Sequence, residues 1–242
     1  MEEISEQIGK DGSVYRAEYE KLTAVIEKFF WDEEKGAYID SFTSGRRNVT
    51  RHANIFAILF SIADEKMQEK ILKNVLENDK IPAITTPYFN FFELDVLCQM
   101  GKLTEVLDKI RSYWGGMLDL GAVTFWEEYD PSVPKEEQYD MYGDHFGKSL
   151  CHAWAASPIY FLAKYFAGLD LVNKDGVTYV LKPQMQYFTD LDCTLPVGSD
   201  GTVRLAWDGE CLEVTADAEG GVLELGEEKI SLVRGETRRV KI

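Results

Sequence analysis

The feature that most constrains the fold is a repeated pair of helical patterns, one apolar nearly all round and the next amphipathic. Residues 50–63 are apolar on most sides after the first turn, which is typical of a buried helix, and residues 65–77 follow with a charged face. The same succession recurs in residues 88–100 and 103–117, after roughly 37 residues, with Gly101 as the break. The pattern therefore predicts successive helical hairpins, each with an inner and an outer helix.

Further helical segments flank these pairs. Residues 1–12 are polar and predict a loose lead-in, whereas residues 14–31 carry apolar side chains at helical spacing and predict an amphipathic helix. Residues 131–141 are acidic and proline-bearing, which indicates a surface loop. A third buried-type helix is predicted over residues 147–166, where Pro158 either kinks the helix or marks a restart.

After residue 170 the pattern changes to short β-type runs separated by turn residues, and these predict a small antiparallel β-sandwich over residues 171–242. The predicted fold is therefore mainly α with a β appendage. Residues 1–170 form a helical-hairpin domain of the (α/α) toroid type. A closed six-hairpin ring needs about twelve helices and the pattern gives about six, which leaves a partial toroid or an open array of hairpins. The β-type runs are residues 177–181, 202–207, 211–215, 221–225, 230–233 and 238–242.

Charge and cysteine usage exclude several classes of function. The net charge of −16 argues against a nucleic-acid partner, because phosphates would be repelled. The N-terminus lacks the apolar region of a signal peptide, and no run reaches about 18 consecutive apolar residues. The chain is therefore expected to be cytoplasmic with no membrane partner. The cysteines lack metal-site spacing, and a disulfide between Cys193 and Cys211 stays open.

The main chemical signal is a loop in which Trp126 precedes two consecutive carboxylates, Glu127 and Glu128. Aromatic faces bind sugars, and pairs of carboxylates break glycosidic bonds. The alternative is a structural one, in which both acids lie at the positive end of a following helix. Spacing alone does not decide between the two.

Several motifs in succession resemble the bacterial α-L-rhamnosidases, glycoside hydrolase family 78, of the six-hairpin glycosidase superfamily. Their order and spacing are similar to the second half of that family's toroid, followed by the start of its C-terminal β domain. The motifs are Phe30-Trp-Asp-Glu-Glu-Lys-Gly36, Arg51-His-Ala-Asn54, Thr85-Thr-Pro-Tyr-Phe89, Tyr113-Trp-Gly-Gly-Met117, Ala122-Val-Thr-Phe-Trp-Glu127-Glu and Ser149-Leu-Cys-His152-Ala-Trp-Ala-Ala-Ser-Pro158.

The resemblance implies hydrolysis of terminal α-L-rhamnosides with inversion, and Glu127 would be the general base that activates a water molecule. It also places His152 and Trp154, on the following inner helix, at the sugar pocket, together with Trp126. His52 and Glu128 are further candidates for binding the substrate. No metal or organic cofactor is implied, because acid–base hydrolysis of a glycoside needs none.

Two departures from the family keep other functions open. The family's general acid lies in an upstream motif to which nothing here is similar, and Ala155-Ala-Ser-Pro158 replaces the family's Ser-Ala-Gly-Pro. The chain is therefore expected to hydrolyse rhamnosides, to bind carbohydrate without hydrolysis, or to act on another sugar. Arg46, Arg47 and Arg51 are the residues that favour an anionic sugar.

Other acidic and histidine residues, and the sides of the inner helices, allow more than one role. Glu93 and Asp95 lie on an inner-type helix and face either the cavity or internal partners, while His145 has no clear role. Half a toroid would expose the sides of its inner helices. The chain is therefore expected either to associate with itself or to be part of a longer polypeptide.

Overall fold

A computed structural model describes residues 1–174, 176–199 and 201–242, which fall into two compact units. The first unit comprises Met1–Met100 with Glu128–Asp130, and the second comprises Gly101–Glu127 with Pro131–Ile242. The predicted boundary at residue 170 differs from this division and marks the change from helices to strands. That residues 1–170 and 171–242 are two domains stays a prediction. No helix in the described ranges is both long and apolar enough to cross a membrane.

The first unit is helical apart from one pair of two-residue strands, and it contains the predicted hairpin of residues 50–77. The expected loose lead-in is wrong, because a short helix begins at Glu2, where two glutamates in its first turn favour the positive helix end. The elements in order are α1 (Glu2–Gln7), α2 (Ser13–Phe30), β1 (Trp31–Asp32), β2 (Ala37–Tyr38), α3 (Arg51–Leu59), α4 (Glu65–Ile71) and α5 (Pro87–Gln99).

Buried polar contacts connect α3 to the strand before it. The Asn54 side chain is fully buried, accepts from the Tyr38 backbone N–H at 2.8 Å and donates to the Tyr38 carbonyl at 2.9 Å. The Asn54 amide thus supplies the hydrogen bonds that a third strand would otherwise make to Tyr38 on β2. The amide therefore ties α3 to β2 within the first unit.

The turn between α3 and α4 ends in a side-chain cap. Asp64 is the N-cap residue of α4, and its Oδ1 accepts from the Met67 backbone N–H at 2.8 Å. We expect Asp64→Ala to lower the free energy of unfolding by about 1 kcal/mol, because the first turn of α4 loses this acceptor. Chemical denaturation measures the loss, and Asp64→Asn, which can still accept, is expected to retain most of the stability.

The second unit begins with helices and continues into strands. A π-helical stretch follows α4 in the first unit, and two more follow α6 and α8 in the second. In each, the hydrogen bonds span five residues instead of four. The helices are α6 (Leu103–Lys109), α7 (Gly115–Asp119) and α8 (Ser157–Phe161), and the π-helical stretches are Leu72–Leu76, Ile110–Trp114 and Leu162–Phe166.

The predicted helix over residues 147–166 forms only in its second half. Pro158 lies in the first turn of α8, so the restart is observed, and only a 3₁₀ turn, Ala153–Ala155, precedes it. Proline is well tolerated in a first helical turn, where its missing N–H costs no hydrogen bond. His152 and Trp154 therefore do not lie on an inner helix, as the resemblance implied, but in the segment that leads into α8.

Two four-stranded sheets complete the second unit, in the strand orders β10-β7-β6-β5 and β3-β4-β8-β9. The first sheet is antiparallel as predicted, whereas the second departs from the prediction because β4 and β8 pair in parallel. Two of the strands, β3 and β5, were not predicted. The strands are β3 (Leu169–Lys174), β4 (Val177–Leu181), β5 (Leu191–Val197), β6 (Gly201–Trp207), β7 (Cys211–Ala216), β8 (Gly221–Leu225), β9 (Glu228–Leu232) and β10 (Thr237–Lys241).

Both sheets contribute to one hydrophobic cluster. Leu181 and Leu223 come from the mixed sheet, Leu205 and Leu212 come from the antiparallel sheet, and all four are fully buried. In sandwich folds, alternate residues of each strand point inward and form a core between the two sheets.

The open question of a disulfide is settled by the strand order. Cys193 on β5 and Cys211 on β7 are free thiols, because β6 lies between their strands. A disulfide needs Cα atoms within about 7 Å, which two strands separated by a third do not provide.

Candidate active site

The segment that carries Glu127 is an extended loop paired with a second loop of the same unit. The Glu127 backbone N–H donates to the Ser149 carbonyl at 2.9 Å, and the His152 N–H donates to the Phe125 carbonyl at 2.8 Å. No helix starts at the glutamates, because the chain stays irregular until the 3₁₀ turn Lys135–Glu137. The helix-start alternative for these acids is therefore wrong.

Glu127 is buried, with 8% of the residue exposed, and two donors orient its carboxylate. Oε2 accepts from the Ser149 backbone N–H at 3.1 Å, and Oε1 accepts from the Tyr142 hydroxyl at 3.2 Å. A carboxylate offers about four lone-pair sites, so each oxygen keeps capacity for another donor such as water. The arrangement thus fixes a buried carboxylate without using up its acceptors.

A strained two-residue turn positions the Tyr142 hydroxyl. Met141 and Asp144 exchange both backbone hydrogen bonds, at 3.0 and 2.9 Å, while Tyr142 and Gly143 between them have φ of 56° and 82°. Positive φ at both central residues defines a type I′ turn, which ordinarily takes Asn or Gly rather than a bulky aromatic residue. Backbone strain of this kind is concentrated at functional sites. Here the strained residue is Tyr142, whose hydroxyl contacts Glu127.

A glycine close to this turn lets the chain pass against it. A Cβ atom at Gly147 would lie 2.2 Å from the Met141 carbonyl oxygen, so only glycine fits there. The Gly147 N–H in turn donates to the Asp144 carbonyl at 3.2 Å. Tyr142 was not predicted from the sequence. Gly143 was the only local sign of a turn there, because Tyr142 is not a usual turn residue.

His152 and Trp154 form a stacked pair beside the carboxylate. Their ring centroids are 4.1 Å apart with planes at 29°, and the Trp154 residue is 46% exposed. The His152 Nδ1 lies 3.9 Å from Glu127 Oε2, which is beyond a direct hydrogen bond. Nδ1 is buried and has no hydrogen-bond partner in the described part of the chain.

Trp126, predicted to line the sugar pocket, is 3% exposed. Its ring packs edge-on against Tyr139 at a centroid distance of 5.6 Å. Of the two predicted tryptophans, Trp154 is therefore the exposed one, and Trp126 is buried against Tyr139. The second unit brings Glu127, Trp126, His152 and Trp154 together.

Two of the predicted site residues lie in the first unit. Glu128 Oε1 accepts from the Thr85 hydroxyl at 2.8 Å, and the next residue's N–H donates to the Thr85 carbonyl at 3.1 Å. His52 is exposed at the start of α3, its ring 4.3 Å from that of Phe89, and it lines a cavity of about 740 Å³ with Lys80 and Asp40. Each residue is therefore placed by partners within its own unit.

The remaining titratable candidates are engaged in pairs. Glu93 is buried and its Oε1 lies 2.9 Å from Arg51 Nη1, so it meets an internal partner. His145 is exposed, and its Nδ1 lies 2.6 Å from Asp140 Oδ1. These contacts account for Glu93 and His145 without a ligand.

The model of the bacterial alpha-L-rhamnosidase 6 hairpin glycosidase domain matches residues 1–166. A GH78 family rhamnosidase of Bacillus sp. GL1 is similar in structure, with a TM-score of 0.71 and 25% identity over 89% of this chain. An alpha-L-rhamnosidase from Dictyoglumus thermophilum gives a TM-score of 0.66 and 19% identity over 93%. The chain spans 23% and 26% of the lengths of those two proteins. A search of curated proteins found no match.

Proposed function

Because the chain belongs to the bacterial α-L-rhamnosidase six-hairpin glycosidase family, we propose that it acts on terminal α-L-rhamnosides, with Glu127 as the general base. The observation that carries the proposal is the Glu127 carboxylate itself. It is buried and oriented by Tyr142 and Ser149, and it lies beside the stacked His152 and Trp154. A base, an imidazole and an exposed aromatic face are the groups that a sugar site requires.

In this mechanism Glu127 takes a proton from a water molecule as the water oxygen bonds to the anomeric carbon, while the glycosidic C–O bond breaks and a general acid protonates the leaving oxygen. Inversion requires the general acid at roughly 6.5–9.5 Å from the base, so that the water fits between base and sugar. The two donors to Glu127 hold the carboxylate toward that water. His152 donates to a sugar hydroxyl, and Trp154 stacks on the apolar face of the ring.

The proposal extends to architecture and assembly. The helical hairpins form part of a six-hairpin toroid, and the two sheets form a β-sandwich. A partial toroid leaves inner-helix surface uncovered, so the chain either associates with itself or is one part of a longer polypeptide. Neither the binding nor the acid–base step calls for a metal or an organic cofactor.

A second candidate function is carbohydrate binding without hydrolysis. In the described part of the chain, the groups that contact the Glu127 carboxylate are a phenol, a peptide N–H and an imidazole. The carboxylic acid that protonates the leaving oxygen lies roughly 6.5–9.5 Å from an inverting base rather than in contact with it, and this sequence has no motif similar to the one that supplies it in the family. Binding through His152 and Trp154 needs no such acid.

Two assays on the same preparation separate the candidates. Release of p-nitrophenol from p-nitrophenyl α-L-rhamnopyranoside measures hydrolysis, and calorimetry with L-rhamnose measures binding. The matched β-D-glucoside and β-D-glucuronide test selectivity for the sugar and for its charge. Release from the rhamnoside alone supports hydrolysis, and saturable rhamnose binding without release supports the second candidate. The absence of both, or a preference for the glucuronide, would contradict the assignment of rhamnose.

A further inference from the structure

A second cleft lies in the β part of the second unit, at the connection between β4 and β5. It has a volume of about 680 Å³, which falls within the range of roughly 300–1,000 Å³ typical of small-molecule sites. Its walls come from that connection and from the ends of β6 and β8. Phe188, Trp207 and Leu225, which line it, are half-buried and pack against the hydrophobic cluster of the sheets.

The orientation of the Trp207 ring is fixed by the protein. Its indole N–H donates to the Phe188 carbonyl at 3.1 Å, so the only polar group of the ring already has a partner. What Trp207 offers to the cleft is therefore aromatic surface. Together with Phe188 it gives the cleft two aromatic side chains, which suit the apolar C–H faces of a sugar ring.

Two amides supply polar groups beside these rings. Gln186 Nε2 donates to Gln184 Oε1 at 2.9 Å, and Gln184 Nε2 donates to the Lys182 carbonyl at 3.2 Å. The exposed Gln186 keeps a second N–H and its carbonyl oxygen, which can donate to and accept from hydroxyl groups.

The charged side chains of the cleft satisfy each other. Lys182 Nζ lies 2.8 Å from Glu224 Oε2, and Lys229 Nζ lies 2.8 Å from Glu224 Oε1. The hydrogen bonds from Lys182 and Lys229 lower the pKa of Glu224, which keeps the pairing intact at neutral pH. An uncharged ligand can bind beside these groups without displacing any of these partners.

We propose that this cleft is a carbohydrate-binding site for a neutral saccharide, with the ring of Trp207 as its apolar platform and the Gln186 amide as its hydroxyl ligand. The site is independent of Glu127 and does not rest on the proposed hydrolysis. A chain without glycosidase activity would still bind sugar here. Its role is to hold a glycan to the β part of the protein.

The test is a titration of the full ¹⁵N-labelled chain followed through its tryptophan indole signals. The signal of Trp207 is assigned by its loss in Trp207→Phe, the Trp154 indole reports on the proposed catalytic site, and the other three indoles report on the fold. L-rhamnose and D-galactose are the neutral probes, D-glucuronate is the charged probe and cyclohexanol is the apolar probe. We expect a saturable shift of the Trp207 signal with a neutral sugar, with a Kd in the millimolar range.

Variants assign the effect to the cleft. Gln186→Ala removes an exposed amide, and we expect it to weaken neutral-sugar binding about fivefold, the value of roughly one hydrogen bond. Glu127→Gln is expected to leave the Trp207 titration unchanged, which separates this site from the proposed catalytic one. A Trp207 signal that is unmoved at about 0.1 M sugar overturns the proposal. So does an equal response to cyclohexanol, a stronger response to glucuronate, or unaltered affinity in Gln186→Ala.

Discussion

Glu127→Gln is expected to lower the rate of rhamnoside hydrolysis by about 10²–10⁴-fold, the usual contribution of a positioned general base. The amide cannot accept a proton from water, yet its oxygen can still accept from the Ser149 N–H that now holds the carboxylate. Binding of L-rhamnose is therefore expected to stay close to that of the native chain. The measurement is p-nitrophenol release for the rate and calorimetry for the binding.

Two further variants calibrate this result. Glu136→Gln removes an exposed carboxylate from the following loop and is expected to leave the rate unchanged. Tyr142→Phe removes one of the two donors to Glu127, and we expect a partial loss of up to about tenfold, in line with one charge-assisted hydrogen bond. Equal activity of the native chain and Glu127→Gln would rule out Glu127 as the base.

Glu93→Leu is expected to lower the free energy of unfolding of the first unit by about 3–5 kcal/mol. Glu93 is 2% exposed and Arg51 is 8% exposed, and Nη1 of the arginine also donates to the Leu76 carbonyl at 2.9 Å. Removing the carboxylate leaves a buried guanidinium without its counter-charge, which is far more costly than losing an exposed pair. Urea unfolding followed by circular dichroism measures the change.

The double variant Arg51→Met with Glu93→Leu separates the lost pair from lost packing. Because both charges are then absent, we expect it to recover most of the stability lost in Glu93→Leu. Asp192→Asn breaks the exposed pair with Arg204 and is expected to leave the unfolding midpoint nearly unchanged. A Glu93→Leu chain as stable as the native one would mean that water reaches the guanidinium.

Helices α3 and α4 could be predicted because their apolar residues repeat in different ways. Helix α3 buries residues on several sides, whereas α4 begins at a capping aspartate and carries charges. The two missed strands, β3 and β5, are edge strands of their sheets. Edge strands need less apolar sequence, and at an edge β5 tolerates Pro196, which would be unfavourable in a central strand.

The candidate site could be predicted only as far as local motifs reach. Glu127, His152 and Trp154 were selected from motifs, and they do lie together. Tyr142 joins them through a turn in which it has a positive φ, and a tyrosine in the sequence does not indicate that backbone conformation. The burial of Trp126 likewise depends on Tyr139, which packs on it from a loop without regular pattern. Both contacts join residues of irregular loops, and the repeat of apolar residues along the sequence gives no information about them.

The parallel pair of β4 and β8 has a consequence for how the β part assembles. Val180 pairs with Val222, while β5, β6 and β7 lie between the two strands in the chain and belong to the other sheet. The antiparallel strands β5, β6 and β7 can grow through successive neighbouring hairpins, but the mixed sheet must close a long loop before its central pair forms. The slow step of refolding is therefore expected to be the arrival of β8 at β4, after the antiparallel sheet has formed.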